Sequence, residues 1–370
     1  MEDDELNLDP TASIRAVHSE QVQARLALME QVAAKYVRTP RDNLLWEEVD
    51  DLLQKMSMRP DPDRPHAHDN RPEGRALVVV GETGAGKTTA LTRLFKRHPA
   101  FPGYGKVSSG CPLVTVRTPS PCNLAQLGSA TLAELGYPVE REVKAPIAWA
   151  MVRQRLRALN VLVLHFDEMQ HVVETANVNE IIKIRNTIKS LMQTTDGPVS
   201  LIISGLPVLA GFLEDSPTPG QDKDGQVRRR SHFVAFERLA LPKDANMVAT
   251  MVEGLAKVAR LSVPPDAATT LAPRLVHAAR YALGTAIELT HDAIRRALVR
   301  GDDAVGADHF ADAYARRTGN QAPANPFLAP DWTAVDTSRV LRADNHPDLS
   351  DDEEADSGRR RRGRPRKAGV

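Results

Sequence analysis

The chain has 370 residues, 42% of them hydrophobic, and its 48 basic and 48 acidic side chains leave a formal net charge of zero. That size and apolar content exclude a wholly disordered chain and leave room for a sizeable core plus a smaller domain. The two cysteines, Cys111 and Cys122, have no His or Cys at metal-ligand spacing and read as ordinary small side chains. The acidic start Met1–Glu5 and the lack of any bilayer-length apolar stretch predict a soluble, cytoplasmic protein.

Between Thr11 and Met56 the apolar positions Val22, Leu26, Leu28 and Val32, then Leu44, Leu45, Val49, Leu52 and Leu53, fall at helical spacing and predict two or three helices. The proline-rich stretch Arg59–Pro65 cannot hold a helix and reads as a linker or arm. Strands predicted over 77–80, 113–116, 161–166, 200–203 and 233–241 alternate with helices over 87–97, 124–135, 147–159 and 179–192. Such alternation implies an α/β fold, a parallel sheet covered by helices on both faces, with the ligand at the carboxyl ends of the strands. After Pro242 the pattern is wholly helical from Asp244 to Arg317 and predicts a small α-helical lid. Beyond Gly319 a Pro-, Asp- and Arg-rich composition predicts a disordered tail. The expected segments are therefore a helical 1–74, a core 75–242, a lid 243–318 and a tail 319–370.

Behind the apolar run Ala76–Val80 comes Gly81-Glu82-Thr83-Gly84-Ala85-Gly86-Lys87-Thr88-Thr89. Its glycines let successive N–H groups curl around one anion, and the helix that follows points its positive end at the same phosphates. In a triphosphate site Lys87 reaches the β/γ-phosphates and the Thr88 hydroxyl ligates Mg²⁺. The strand-like run from Val161 ends in Asp167 and Glu168. Asp167 is the natural Mg²⁺ partner, direct or through water, and Glu168 is placed to polarise a water for attack on the γ-phosphate.

Four smaller constellations stand beside these. Ser204, at the end of the fourth strand, either orients the attacking water or makes a local turn bond. The run Arg228–Arg230 precedes the fifth strand: Arg229 or Arg230 is a candidate finger on a neighbouring subunit's γ-phosphate, against a solvated basic run or a DNA-backbone contact. His165 and His171 flank the carboxylate pair, but Mg²⁺ prefers oxygen, so His165 is expected to pack on the strand and His171 to start a polar loop or helix. In the tail, acidic Asp351–Glu354 gives way to a basic run whose centre, Arg362-Gly363-Arg364-Pro365, matches an AT-hook core. There Gly and Pro keep the backbone thin enough for the minor-groove floor while arginines enter the groove that A·T tracts narrow. A generic polybasic tail would share the arginines without needing the Gly-Arg-Pro centre.

The phosphate loop, the Asp167-Glu168 pair, the Ser204–Pro207 turn and the arginines before Leu239–Pro242 together resemble AAA+ ATPases. Within that class, Leu113–Pro121 leading to Leu132–Gly136 is similar to the TniB/TnsC transposition proteins, distant relatives of MuB. The resemblance implies a P-loop AAA+ core with ATP and Mg²⁺ as cofactors. It also implies an oligomer that assembles on double-stranded DNA, selects a target and recruits or activates a transposase, with a target-recognition protein as a further partner. One departure is that many AAA+ lids carry an Arg where Gly284-Thr-Ala-Ile287 places Ile287; Arg280 lies one turn earlier. A helicase loader or replication initiator, and a DNA-tethering adaptor with little turnover, are the competing functions.

Overall fold

The structure is a computed structural model that describes residues 9–106, 109–139, 143–195, 197–214 and 230–341. Five parallel strands, β1 (Ala76–Gly81), β2 (Leu113–Arg117), β3 (Val163–Asp167), β4 (Ser200–Gly205) and β5 (Ser231–Phe236), pair in the order β2-β3-β4-β1-β5. In this order β1 lies between β4 and β5, with Val78 opposite Ile203 on one side and Phe233 on the other. β4 in turn separates β1 from β3. The loop after β1 and the acids ending β3 therefore reach the same edge of the sheet with one strand between them.

The central strands are near-continuous apolar runs because helices cover both faces. Ahead of the sheet come α1 (Ala12–Ala16), α2 (Glu20–Ala34) and α3 (Pro40–Met56); α4 (Lys87–Arg97) follows β1. Leu45, Val49 and Leu52 of α3 and Leu91, Leu94 and Phe95 of α4 pack on the face that carries Leu77, Val79, Val163 and Ile202. The opposite face, with Val78, Leu164, Phe166, Leu201 and Ile203, is covered by α5 (Leu124–Glu134), α6 (Ala145–Ala158) and α8 (Val178–Met192). Short α7 (Gln170–Thr175) and α9 (Leu209–Glu214) follow β3 and β4. Side chains fix several helix starts: Asn123 accepts the Gln126 N–H at 2.9 Å, Asn177 accepts the Glu180 N–H at 3.0 Å, and Asp42 accepts the Thr39 N–H at 2.7 Å ahead of Pro40.

Beyond the sheet, α10 (Ala245–Val258), α11 (Leu271–Ala278), α12 (Leu283–Arg300) and α13 (Ala307–Thr318) enclose a second core. Met29 and Val32 of α2 join it, so the N-terminal helices divide between lid and sheet. Two expectations change here. The fifth strand stops at Phe236 rather than continuing to Leu241, because Leu239 donates its N–H to the Tyr281 carbonyl at 2.7 Å and buries its side chain in the lid core. The segment after Gly319, expected to lack structure, packs on the lid as far as residue 341. Phe327 and Val340 are buried in the lid core, Asn325 donates to the Ala311 carbonyl at 2.8 Å, and Arg274 donates to the carbonyls of Pro326 and Ala329. Among the described residues, no helix is long and apolar enough to cross a membrane.

Candidate nucleotide site

The loop Gly81–Thr89 leaves β1 and becomes α4 with the shape its glycines permit. Gly84 and Gly86 hold φ of +75° and +87°, a region that costs L-residues on the order of 1–2 kcal/mol. Gly86 is the residue from which α4 starts. A Cβ on Gly81 would lie 2.9 Å from the Phe236 Cβ, so β5 closes against the loop only because Gly81 has no side chain. Lys87 is 7% exposed, and its ammonium donates to the carbonyls of Gly81 at 2.8 Å and Glu82 at 3.2 Å. Burial pulls its pKa down, while Glu168, then Asp167 and Glu82, pull it back up. The loop thus curls around a cation that faces two carboxylates.

Asp167 brings the two motifs together. Its Oδ2 accepts the Thr88 hydroxyl at 2.9 Å, and its Oδ1 accepts the Ser204 hydroxyl from the intervening β4. Ser204 is fully buried and bonds His165 Nε2 at 2.9 Å; His165 Nδ1 bonds Thr115 Oγ1 at 3.1 Å, and that oxygen bonds the Tyr104 hydroxyl at 2.6 Å. With Asp167 accepting and His165 neutral, the donors are fixed along the whole chain. Ser204 donates to Asp167, the His165 Nε2–H donates to Ser204, Thr115 donates to Nδ1, and Tyr104 donates to Thr115. Burial holds the His165 pKa down to about 4 against the opposing pull of Asp167, which keeps the imidazole neutral and makes Nδ1 the acceptor from Thr115. Ser204 therefore acts on Asp167 in this arrangement. His171, near the start of α7, pairs with Glu174 at 3.3 Å.

Glu168 follows directly in the left-handed region, with φ of +57°. Two bonds around it hold the turn: Met169 N–H to the Ser204 carbonyl at 3.0 Å and His171 N–H to the Glu168 carbonyl at 3.1 Å. The Gln170 side-chain amide donates to Glu168 Oε2. Sequence reading passed over Gln170, whose second partner Leu206 lies beyond β4, and over Thr115 and Tyr104, whose link to His165 forms only when β2 pairs with β3.

The lid meets the loop through backbone. The Gly284 N–H donates to the Gly84 carbonyl at 2.7 Å. Ile287 packs on the lid core, and the positive charge of Arg280 acts on Asp336 in the segment that straps the lid. Arg238, just past β5, pairs with Glu82 of the loop at 3.2 Å. Arg230 sits at the amino end of β5, where its guanidinium pairs with Glu73. That is a strand length of roughly 17 Å from the loop end of the sheet. Arg229 and the motif Arg362, Gly363, Arg364 and Pro365 lie outside the described residues.

The sheet order, the loop-to-α4 turn, the acids at the end of β3 and the helical lid define a P-loop protein of the AAA+ class. Solved structures share this fold: Cdc6p from Pyrobaculum aerophilum (TM-score 0.55, 14% identity, 77% of this chain and 69% of that one) and the Aeropyrum pernix ORC1 protein in complex with DNA (0.53, 17%, 78% and 69%). The ADP form of the Aeropyrum pernix ORC2 protein is similar as well (0.50, 14%, 76% and 69%). No curated protein matches the chain. The family model of the bacterial TniB protein matches residues 29–215, from α2 through the core to the end of α9, and the chain belongs to that family.

Proposed function

We propose that the chain is a Mg²⁺-dependent ATPase that assembles on DNA, selects a transposition target and recruits or activates a transposase. The convergence of Lys87, Thr88, Asp167 and Glu168 where β1 and β3 end supports the hydrolytic part. In it the N–H groups of Gly81–Thr89 and the start of α4 hold the phosphates, and Lys87 exchanges loop carbonyls for β/γ-phosphate oxygens. Thr88 and Asp167 offer only oxygen, a donor set that suits Mg²⁺, which supplies charge neutralisation at the β/γ-phosphates when bound. Glu168 accepts the proton of the attacking water. Ser204 fixes the Asp167 carboxylate for its task.

Arg230 is too far along β5 to serve its own loop, which supports a role in trans: Arg230 or Arg229 completes the site of a neighbouring copy. Membership of the TniB family supports transposition over helicase loading, and the likeness to an ORC1 protein solved in complex with DNA supports DNA as a partner. The tail motif Arg362–Pro365 adds a minor-groove anchor in this reading. A mixing experiment tests the assembly. Glu168→Gln subunits and Arg229/Arg230 double-alanine subunits, each slow alone, are expected to regain hydrolysis when mixed on DNA, because some junctions recover both groups. A species that stays monomeric with ATP and DNA would contradict it.

A further inference from the structure

Gln170 is a buried polar side chain that the hydrolytic scheme does not use. It opens α7, is 5% exposed, and spends both ends of its amide: one on Glu168 Oε2, the other on the Leu206 N–H at 3.2 Å. A carboxylate only accepts and a backbone N–H only donates, so the amide orientation is fixed, with nitrogen toward Glu168 and oxygen toward Leu206. The neighbouring strand end is cut to fit. A Cβ on Gly205 would lie 2.4 Å from Gln170 Oε1, so this approach exists only because Gly205 lacks one.

Glu168 needs such a support. Its backbone occupies the left-handed region, and its carboxylate is the largest opposing charge acting on the Lys87 ammonium. Left alone, an acid whose charge acts on a buried lysine can swing toward that cation and close an ion pair, which removes it from the water it is to polarise. The Gln170 amide ties the carboxylate to the start of α7 by a hydrogen bond. Its second bond ends on Leu206, the first residue of the turn that leads through Pro207 into α9.

We infer that Gln170 is a positioning residue: it holds the Glu168 carboxylate off Lys87 and ties that placement to the Leu206–Glu214 segment, so that a shift of α9 is felt at the base. The inference rests on the ATPase reading above. Gln170→Met keeps the volume and removes both hydrogen bonds, while Gln170→Glu keeps an acceptor for Leu206 but sets a second carboxylate against Glu168. Both variants are expected to bind a fluorescent ATP analogue within about twofold of the parent and to lose roughly tenfold in kcat with KM little changed, Gln170→Glu losing more. Amide hydrogen exchange, read without nucleotide, is expected to speed up at Leu206–Glu214 in Gln170→Met and to stay near the parent's in Gln170→Glu. If the full-length parent hydrolyses ATP and Gln170→Met matches its kcat, or if exchange at Leu206–Glu214 is unchanged in Gln170→Met, the positioning role is wrong and the ATPase reading stands. If the parent shows no turnover above Lys87→Ala, the ATPase reading fails and this role falls with it. Should Gln170→Met fail to fold, the kcat of Gln170→Glu decides.

Discussion

The backbone N–H of Gly284, in the first turn of the lid helix α12, donates to the carbonyl of Gly84 in the phosphate loop at 2.7 Å. Both partners are glycines for a steric reason. A Cβ on Gly284 would lie 2.5 Å from the Gly84 oxygen, and one on Gly84 would lie 2.3 Å from Thr285 Oγ1. With Ile287 where many AAA+ lids carry an arginine, this backbone hydrogen bond ties the lid directly to the loop.

Gly284→Val is therefore expected to wedge the lid off the loop. The clash is with backbone, so the lid must move as a unit rather than a side chain turning aside. ATP-analogue affinity measured by fluorescence should fall by about tenfold or more, while far-UV circular dichroism stays that of the parent. Parent-like affinity would show that the loop works without the lid's contact.

Phe327→Ala tests the segment that straps the lid. Phe327 is buried against Phe310 and Tyr314, with ring centroids 5.4 and 6.2 Å away. Truncation of a buried aromatic to alanine costs about 3–5 kcal/mol. Denaturant unfolding should show a loss of that size, and truncation after Gly319 a larger one; a neutral Phe327→Ala would mean that the strap adds nothing to the lid.

That segment also shows where composition misleads. From 319 on, apolar residues are too sparse to form a core of their own, yet Phe327 and Val340 need only complete one that the lid has already built. The same second core cut the fifth strand short: Leu239 and Leu241 keep the apolar character of a strand but pack against the lid. By contrast, β1 and α4 were legible because glycine spacing and apolar runs act locally, and α4 runs over the predicted residues 87–97. Asp167 and Glu168 stood out for their position at a strand end. The relay behind Asp167 did not, because Thr115 and His165 meet only across the paired β2 and β3 and Tyr104 joins them from the turn before β2, and sequence spacing carries no trace of that register.

The buried neutral His165 makes stability depend on pH. Its folded pKa, about 4, lies below the ordinary 6.5, so below pH 6.5 the unfolded chain binds a proton that the folded one refuses. Stability contributed by this group is complete above pH 6.5 and falls as pH drops toward 4, by up to roughly 3 kcal/mol. Urea unfolding of the nucleotide-free protein between pH 7 and 4.5 should show the decline, and His165→Gln should be less stable at pH 7 but flatter across the range. Parallel curves for the two proteins would show that His165 is not the source.

In the minor-groove reading of the tail, Gly363→Ala with Pro365→Ala keeps every positive charge while removing the two residues that would let a bound backbone lie thin on the groove floor. Binding to A·T-rich duplex is expected to weaken toward the G·C-rich level with a similar salt dependence, since the phosphate contacts persist. Unchanged preference between the two duplexes would leave only a polybasic handle.

The most direct test of the account is steady-state Mg²⁺-ATP hydrolysis by the parent and by Glu168→Gln, with nucleotide binding measured on the same samples. Binding by both proteins, with turnover in the parent and a loss of about 10²-fold or more in Glu168→Gln, is what the geometry of Lys87, Asp167 and Glu168 predicts. Equal turnover in the two proteins would contradict it.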